Sequence, residues 1–346
     1  MSRIGSCTVS AVCALALGTV AFRSDRTSDV AIAATEPSRI AYAANHDGNW
    51  DVYVVRDDGN GATRLTNGPD QERFPLWSPD GATIAYGVQT GGGWELWAMA
   101  SDGTGARRLF RGIAAKVHRE WSPDGTRIVF GSGGDDPDVY SIRADGKELR
   151  RLTTSPGLDR DPTWSPDGTR IAFASARDGN LELYLMRADG TGVTRITNDA
   201  AADGSPAWSP DGATIAFVSS RDSSRSGGKD LYRVRPDGTN LERLTVGAKV
   251  TTDVAAWSPD GSRLAFHSAH GGNDYDVELV RIADHKRSTL AHSKHYEGMY
   301  AWSPDGKRLA FISGRDSTEA MYVIDADGTN MRRLTNEATL NPAWSK

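Results

Sequence analysis

Trp77-Ser78-Pro79-Asp80-Gly81 decides the architecture, because the same five residues return at Trp121, Trp164, Trp208, Trp257 and Trp302. A truncated seventh copy, Trp344-Ser345-Lys346, ends the chain. The intervals between these tryptophans are 44, 43, 44, 49, 45 and 42 residues, a period that suits four short strands with their turns. Inside the pentapeptide, proline presets φ, aspartate accepts backbone N–H bonds, and glycine takes the positive φ that closes a tight hairpin. The tryptophan reads as packing, since a large ring repeated in every unit fills the space between neighbouring sheets.

Working outward, each Asp-Gly is followed by an apolar triplet: Ile84-Ala85-Tyr86, Ile128-Val129-Phe130, Ile171-Ala172-Phe173, Ile215-Ala216-Phe217, Leu264-Ala265-Phe266 and Leu309-Ala310-Phe311. These read as buried strands. An alternating stretch comes next, as in Glu182-Leu183-Tyr184-Leu185-Met186, and ends at turns such as Asp189-Gly190. A short outer strand then finishes at Leu-Thr or a variant, from Leu65-Thr66 to Leu334-Thr335. Each unit is predicted to be four antiparallel strands.

The two ends complete each other. Ile40-Ala41-Tyr42 has no Trp-Ser-Pro before it, and Pro342-Ala343-Trp344-Ser345 has no strands after it. The predicted fold is therefore all-β, a β-propeller of seven four-stranded antiparallel blades in which the C-terminal strand pairs with the N-terminal blade. Six blades is the alternative if those ends fail to join. Residues 38–346 divide into units of about 44, which assigns them to a single propeller domain and leaves 1–37 as a signal peptide or anchor with a spacer. Closure also removes open sheet edges that would invite aggregation.

Among the 346 residues are 37 glycines, 15 prolines and 10 tryptophans, with a formal net charge of −5. This is a turn-rich chain without the basic footprint of a nucleic-acid binder. The two cysteines, Cys7 and Cys13, lie in the N-terminal apolar run, so the propeller has neither a disulfide framework nor a thiolate metal site. That run, Ile4 to Phe22, is uncharged and flanked by Arg3 and Arg23, resembling a secretory signal. Cleavage could follow Ala21 or Ala33, or the run could be retained as an anchor. Export to the periplasm or the cell exterior is expected, with no stable membrane insertion beyond this segment.

Over residues 38–346 the repeats resemble the WD-like propeller repeats of the TolB type, whose hallmark is Pro-x-Trp-Ser-Pro-Asp-Gly followed by Ile-Ala-Phe and Leu-Thr. Related propellers precede the catalytic domain of prolyl-oligopeptidase-like peptidases and form the body of oligogalacturonate lyases. The TolB type is described as six-bladed with an N-terminal α/β domain, whereas seven units are counted here. A peptidase relative needs a Gly-x-Ser-x-Gly elbow, and no such pentapeptide occurs in this chain. The resemblance implies a non-enzymatic scaffold for a protein or cell-envelope partner. A metal-dependent polysaccharide lyase of the oligogalacturonate type, or a propeller sensing a small ligand, are the alternatives.

Strand alternation places the Ser-Pro-Asp-Gly and Ala-Asp-Gly turns on one face, nearly uniform between units. The connections into the innermost strands and between the second and third strands share the other, variable face, where recognition is expected. The loops entering the inner strands carry Glu72 and Arg73, Lys116 and His118, Asp159 and Asp161, Asp203, Asp253, Glu297 and Asn341. If they converge on the channel mouth, the carboxylates could hold a divalent cation such as calcium or attract basic groups. Arg119 and Glu120 replace the Pro/Ala-type residues found before most of the other tryptophans, and Asp135, Asp136 and Asp138 follow in the next loop. His46 and His270 occupy the arginine position of Ser-x-Arg-Asp and read as turn residues, while His267 should be buried. A lyase-like metal site would need His118, His292 and His295 to come together. The long polar connection Arg221 to Lys229 is a candidate partner contact.

Overall fold

In the computed structural model, the described residues are 38–113, 118–132, 137–223, 228–251, 255–271 and 274–345. They form seven sheets, each of four antiparallel strands, arranged as a propeller. Every element with described bounds is a β-strand. Blade 1 joins the two ends of the domain, with Thr339–Trp344 innermost, then Arg39–His46, Asn49–Arg56 and Thr63–Arg64. Trp344 pairs with Ile40 and Ala343 with Ala41, as the complementary ends predicted. Blades 2 to 7 occupy residues 71–113, 119–151, 159–195, 203–243, 256–291 and 297–333 in chain order. The six-blade alternative is excluded.

The apolar triplets form the second strand of each blade and are almost completely shielded from solvent, from Tyr42 through Phe130, Phe173, Phe217 and Phe266 to Phe311. Each hydrophobic cluster draws residues from two neighbouring blades. Trp302, for example, packs with Ala265, Val277 and Leu279 of blade 6 as well as with Leu309 and Phe311 of blade 7. Adjacent blades therefore share one apolar layer, and no sheet is buried on its own account.

The tryptophans also carry a polar link. Five indole N–H groups donate to the carbonyl just before the preceding blade's tryptophan: Trp77 to Ala343, Trp121 to Leu76, Trp257 to Ala207, Trp302 to Ala256 and Trp344 to Ala301, at 3.0–3.1 Å. The Ser-Pro-Asp-Gly turns satisfy themselves. Ser78 Oγ donates to Asp80 Oδ1 at 2.5 Å, Ala82 N donates to the same oxygen at 3.0 Å, and Gly81 adopts φ 67°. These bonds hold the turn aspartates below the usual carboxylate range, Asp167 to about 2, with the Ser165 hydroxyl as the largest cause.

A second repeated network explains Arg-Leu-Thr. In blade 5 the Thr245 hydroxyl accepts from Leu231 N at 2.9 Å and donates to the buried Asp230 carboxylate at 2.9 Å. Arg243 bonds the same carboxylate at 2.6 Å. Blades 1, 3 and 4 repeat this with Asp51–Arg64, Asp138–Arg151 and Glu182–Arg195, and in blade 2 Arg108 and Arg111 meet Glu95. Removing such a buried carboxylate's cation would leave an uncompensated charge, so the motif is a structural demand of each outer edge.

Candidate functional site

The inner strands begin on the variable face, and five of them carry a β-bulge three residues before the tryptophan. Phe74, Asp161, Ser205, Met299 and Asn341 each have φ between 47° and 59° there, and the pairing with the second strand shifts register across them. A bulge re-aims neighbouring side chains. Here it separates a residue two positions upstream, which turns into the blade, from the bulged residue itself.

That upstream position holds Glu72, Asp159, Asp203 and Glu297, all buried. Three of these expected channel-mouth carboxylates are spoken for. Arg177 donates to both Asp159 oxygens at 3.1 and 3.2 Å, Arg221 bonds Asp203 at 2.6 Å, and Arg315 bonds Glu297 at 3.0 Å. Each of these arginines also stacks on two rings of its blade, Phe173 and Tyr184 in blade 4 and their counterparts in blades 5 and 7. The picture of a ring of free carboxylates is corrected accordingly: these side chains anchor the Ser-x-Arg-Asp turns, and their charge is met inside the blade. Burial pushes the Asp203 carboxyl up, while the Ser219 hydroxyl and Arg221 draw it down.

Glu72 has no such arginine. It lies beside Thr66 Oγ1 at 3.4 Å and close to Asp51, and burial followed by the Asp51 charge pushes its pKa to about 7. The same side of the molecule carries Arg73, Arg119 and Arg160. Blades 1, 2, 4 and 5 place a buried proline two residues before the tryptophan, at Pro342, Pro75, Pro162 and Pro206. Blade 3 places Arg119 there. Arg119 is 8% exposed and its guanidinium stacks 5.1 Å from the Phe74 ring, yet Nε and Nη1 have no hydrogen-bond partner among the described residues. Burial lowers its pKa to about 10.

Space for this guanidinium is made by Gly87 on blade 2, since a Cβ there would come within 2.9 Å of Arg119 Nη1. The backbone of Gly87 does not need glycine, as its φ is not positive. Trp94 packs against Phe74 at 5.2 Å and borders the same spot. Arg73 stacks on Trp50 at 4.6 Å with its Nε unpartnered. On blade 4, Arg160 is 43% exposed and sits 3.5 Å from Asp161. Arg160 was not singled out in the sequence. The signal that could have found Arg119 is the coincidence of an arginine for proline in one blade with a glycine on the strand facing it in the next.

The remaining expected residues fall out as follows. Glu120 accepts from Trp164 N at 2.8 Å and so braces blade 3 against blade 4. His118 is half-buried, and desolvation together with Arg119 lowers its pKa to about 4. Asn341 donates to Met299 Sδ at 3.6 Å and leaves its Oδ1 unpartnered. Asp253, Lys116, Asp135 and Asp136 lie outside the described residues. Asp138 belongs to the Arg-Leu-Thr network. His267 is half-buried, short of the full burial expected of it, with the Tyr300 and Tyr296 rings against its imidazole. The three histidines of the lyase reading have different surroundings: His118 is half-buried beside Arg119, His292 bonds Asp276, and His295 lines a 370 Å³ hollow with Tyr275 and Tyr296. The Arg221–Lys229 connection is partly described; there Arg221 is committed to Asp203, and Asp222 accepts from Tyr232 at 2.6 Å.

The model of the TolB beta propeller domain matches residues 32–135, 117–181, 156–274 and 254–346. Among solved structures, TolB from Acinetobacter baumannii is 19% identical with a TM-score of 0.56, covering 88% of this chain and 82% of its own. Oligogalacturonate lyase from Vibrio parahaemolyticus is 17% identical with a TM-score of 0.67, covering 82% of this chain and 85% of its own. A puromycin-hydrolyzing peptidase from Mycobacterium tuberculosis is 16% identical with a TM-score of 0.64, covering 87% of this chain and 54% of its own. At these identities the likeness is one of fold. A search among curated proteins found no match.

Proposed function

The chain belongs to the TolB beta propeller domain family, and from that premise we propose that it is an exported, non-enzymatic scaffold whose variable face binds a protein or cell-envelope partner. The observation that carries this reading is Arg119, a buried residue with two guanidinium nitrogens lacking hydrogen-bond partners among the described residues, seated in a space that Gly87 leaves open. An unmet buried cation costs stability unless a partner supplies acceptors. The partner's contact group is therefore acidic, a carboxylate or similar anion approaching across Arg73, Arg119 and Arg160. This replaces the attraction for basic groups expected from a carboxylate ring, because Asp159, Asp203 and Glu297 are already neutralised. The signal-like segment at Ile4 to Phe22 supports export to the periplasm or cell exterior.

Proximity labelling in the native host tests the reading. The chain bearing Arg73→Gln, Arg119→Met and Arg160→Gln should lose a labelled envelope protein that the wild-type chain retains, at equal abundance and with an unchanged circular dichroism spectrum. An identical labelling profile for both chains contradicts it.

A further inference from the structure

The internal repeat provides its own control for blade 6. In the other blades with an acid at the start of the third strand, that acid is met by an arginine of the outer strand: Asp51 by Arg64, Glu95 by Arg108, Asp138 by Arg151, Glu182 by Arg195 and Asp230 by Arg243. Blade 6 keeps the acid as Asp276, which is 4% exposed. At the arginine position it has Thr289, which pairs with Glu278 where Arg243 pairs with Tyr232, and at the threonine position it has Ala291. Arg287 is committed to Glu278 at 2.7 Å. The carboxylate has thus lost both of its usual partners.

Imidazoles take their place. His292 Nδ1 lies 2.7 Å from Asp276 Oδ1, and His270 Nε2 lies 3.1 Å from Asp276 Oδ2. His270 is more than a turn residue. A second carboxylate, Asp274, brings an oxygen to within 4.8 Å of the Asp276 and His292 ligand atoms, and its Oδ1 is shielded from water with no hydrogen-bond partner among the described residues. Two carboxylates without an arginine leave negative charge that neutral imidazoles cannot balance, whereas a divalent ion can. Mixed imidazole and carboxylate donors suit a borderline first-row ion such as zinc better than calcium, which prefers oxygen.

We propose that Asp274, Asp276 and His292 form a binding site for a divalent transition metal such as zinc, with His270 holding the second oxygen of Asp276 as a positioning residue. The ion occupies the role that a guanidinium has in blades 1 to 5. It ties the start of the third strand to the connection that follows the outer strand, on the variable face. This site shares no residue with Arg73, Arg119 and Arg160.

The experiment is a zinc titration of the full-length, tag-free chain after chelation, read by calorimetry and by thermal unfolding. Wild-type protein should take up one zinc per chain and melt at a higher temperature with the metal, because an ion that binds only the folded state stabilises it. His292→Ala and Asp274→Asn should abolish both effects, and His270→Ala should weaken binding by about 10- to 100-fold. His295→Ala, outside the cluster, should bind as wild type. His292 is largely exposed, so its variant is expected to fold, and Asp274→Asn provides a second reading. Absence of saturable zinc binding, binding unchanged in both ligand variants, or uptake of calcium in preference to zinc would overturn the proposal.

Discussion

Blades 4 and 5 and blades 2 and 3 are built from the same repeat, yet they differ in where charge is settled. In blades 4 and 5 the acid that opens the inner strand meets an arginine from the turn beyond the second strand, at 3.1 Å in one and 2.6 Å in the other. In blades 2 and 3 the acid and the cations are unmatched. Glu72 has no arginine, and Arg119 has no carboxylate within hydrogen-bonding distance of Nε or Nη1. Where the network closes, the residues serve folding. Where it stays open, buried polar groups keep a demand that the described residues do not meet, and the proposed partner would supply it.

The comparison breaks first at the closed side. Arg221→Ala should destabilise the propeller by about 3 kcal/mol or more, because it strands the buried Asp203 carboxylate. Urea unfolding at pH 7 reads this, and a loss under about 1 kcal/mol would mean that the pair is not a structural demand. The next largest effect concerns Glu72. Its folded pKa of about 7 exceeds its ordinary 4.5, so the folded chain keeps a proton that the unfolded chain has released. Wild-type stability should therefore fall as pH rises from 4.5 through 7. Glu72→Gln should flatten that decline and be more stable at pH 8 by on the order of 2 kcal/mol. A parallel decline in both proteins would refute the assignment.

Smaller again is the turn network. Asp167 titrates near 2 when folded against 3.8 ordinarily, so its contribution is present above pH 4 and lost as pH falls toward 2. Asp167→Ala should cost about 1 kcal/mol at neutral pH, with the gap to wild type closing in acid. Arg119→Met should change stability least and in the opposite direction, raising it by about 1 kcal/mol or less, since it removes a buried charge that the described residues do not pair while giving up the stacking on Phe74. Comparable losses for Arg119→Met and Arg221→Ala would erase the distinction between the two halves.

Most of the fold was legible because a repeat states its own period. The tryptophan intervals, the apolar triplets and the complementary ends led directly to seven blades. The site was less so. Asp159, Asp203 and Glu297 look like free acids when only their own loops are read. Their arginines lie 18 residues on in each case, at Arg177, Arg221 and Arg315, and the pairing emerges only once the hairpin register brings the turn back over the strand. One signal was available. Blades 4, 5 and 7 have both the acid and the Ser-x-Arg turn, whereas blade 2 has the acid and Val88-Gln89-Thr90 instead. Blade 6 hides its difference more deeply, since Thr289 and Ala291 look unremarkable until they are aligned by strand pairing with Arg243 and Thr245.

Site-specific photo-crosslinking in the native host addresses the central claim, that the open half of the variable face is where the partner binds. A photoreactive residue at Asn67 or Thr154, both exposed in connections that lead into blades 2 and 4, should give a discrete adduct that disappears when Arg73, Arg119 and Arg160 are neutralised. The same residue at Lys147, on the uniform turn face, should give none. Adducts of equal yield from Lys147, or adducts from Asn67 and Thr154 that persist without the three arginines, would contradict the account.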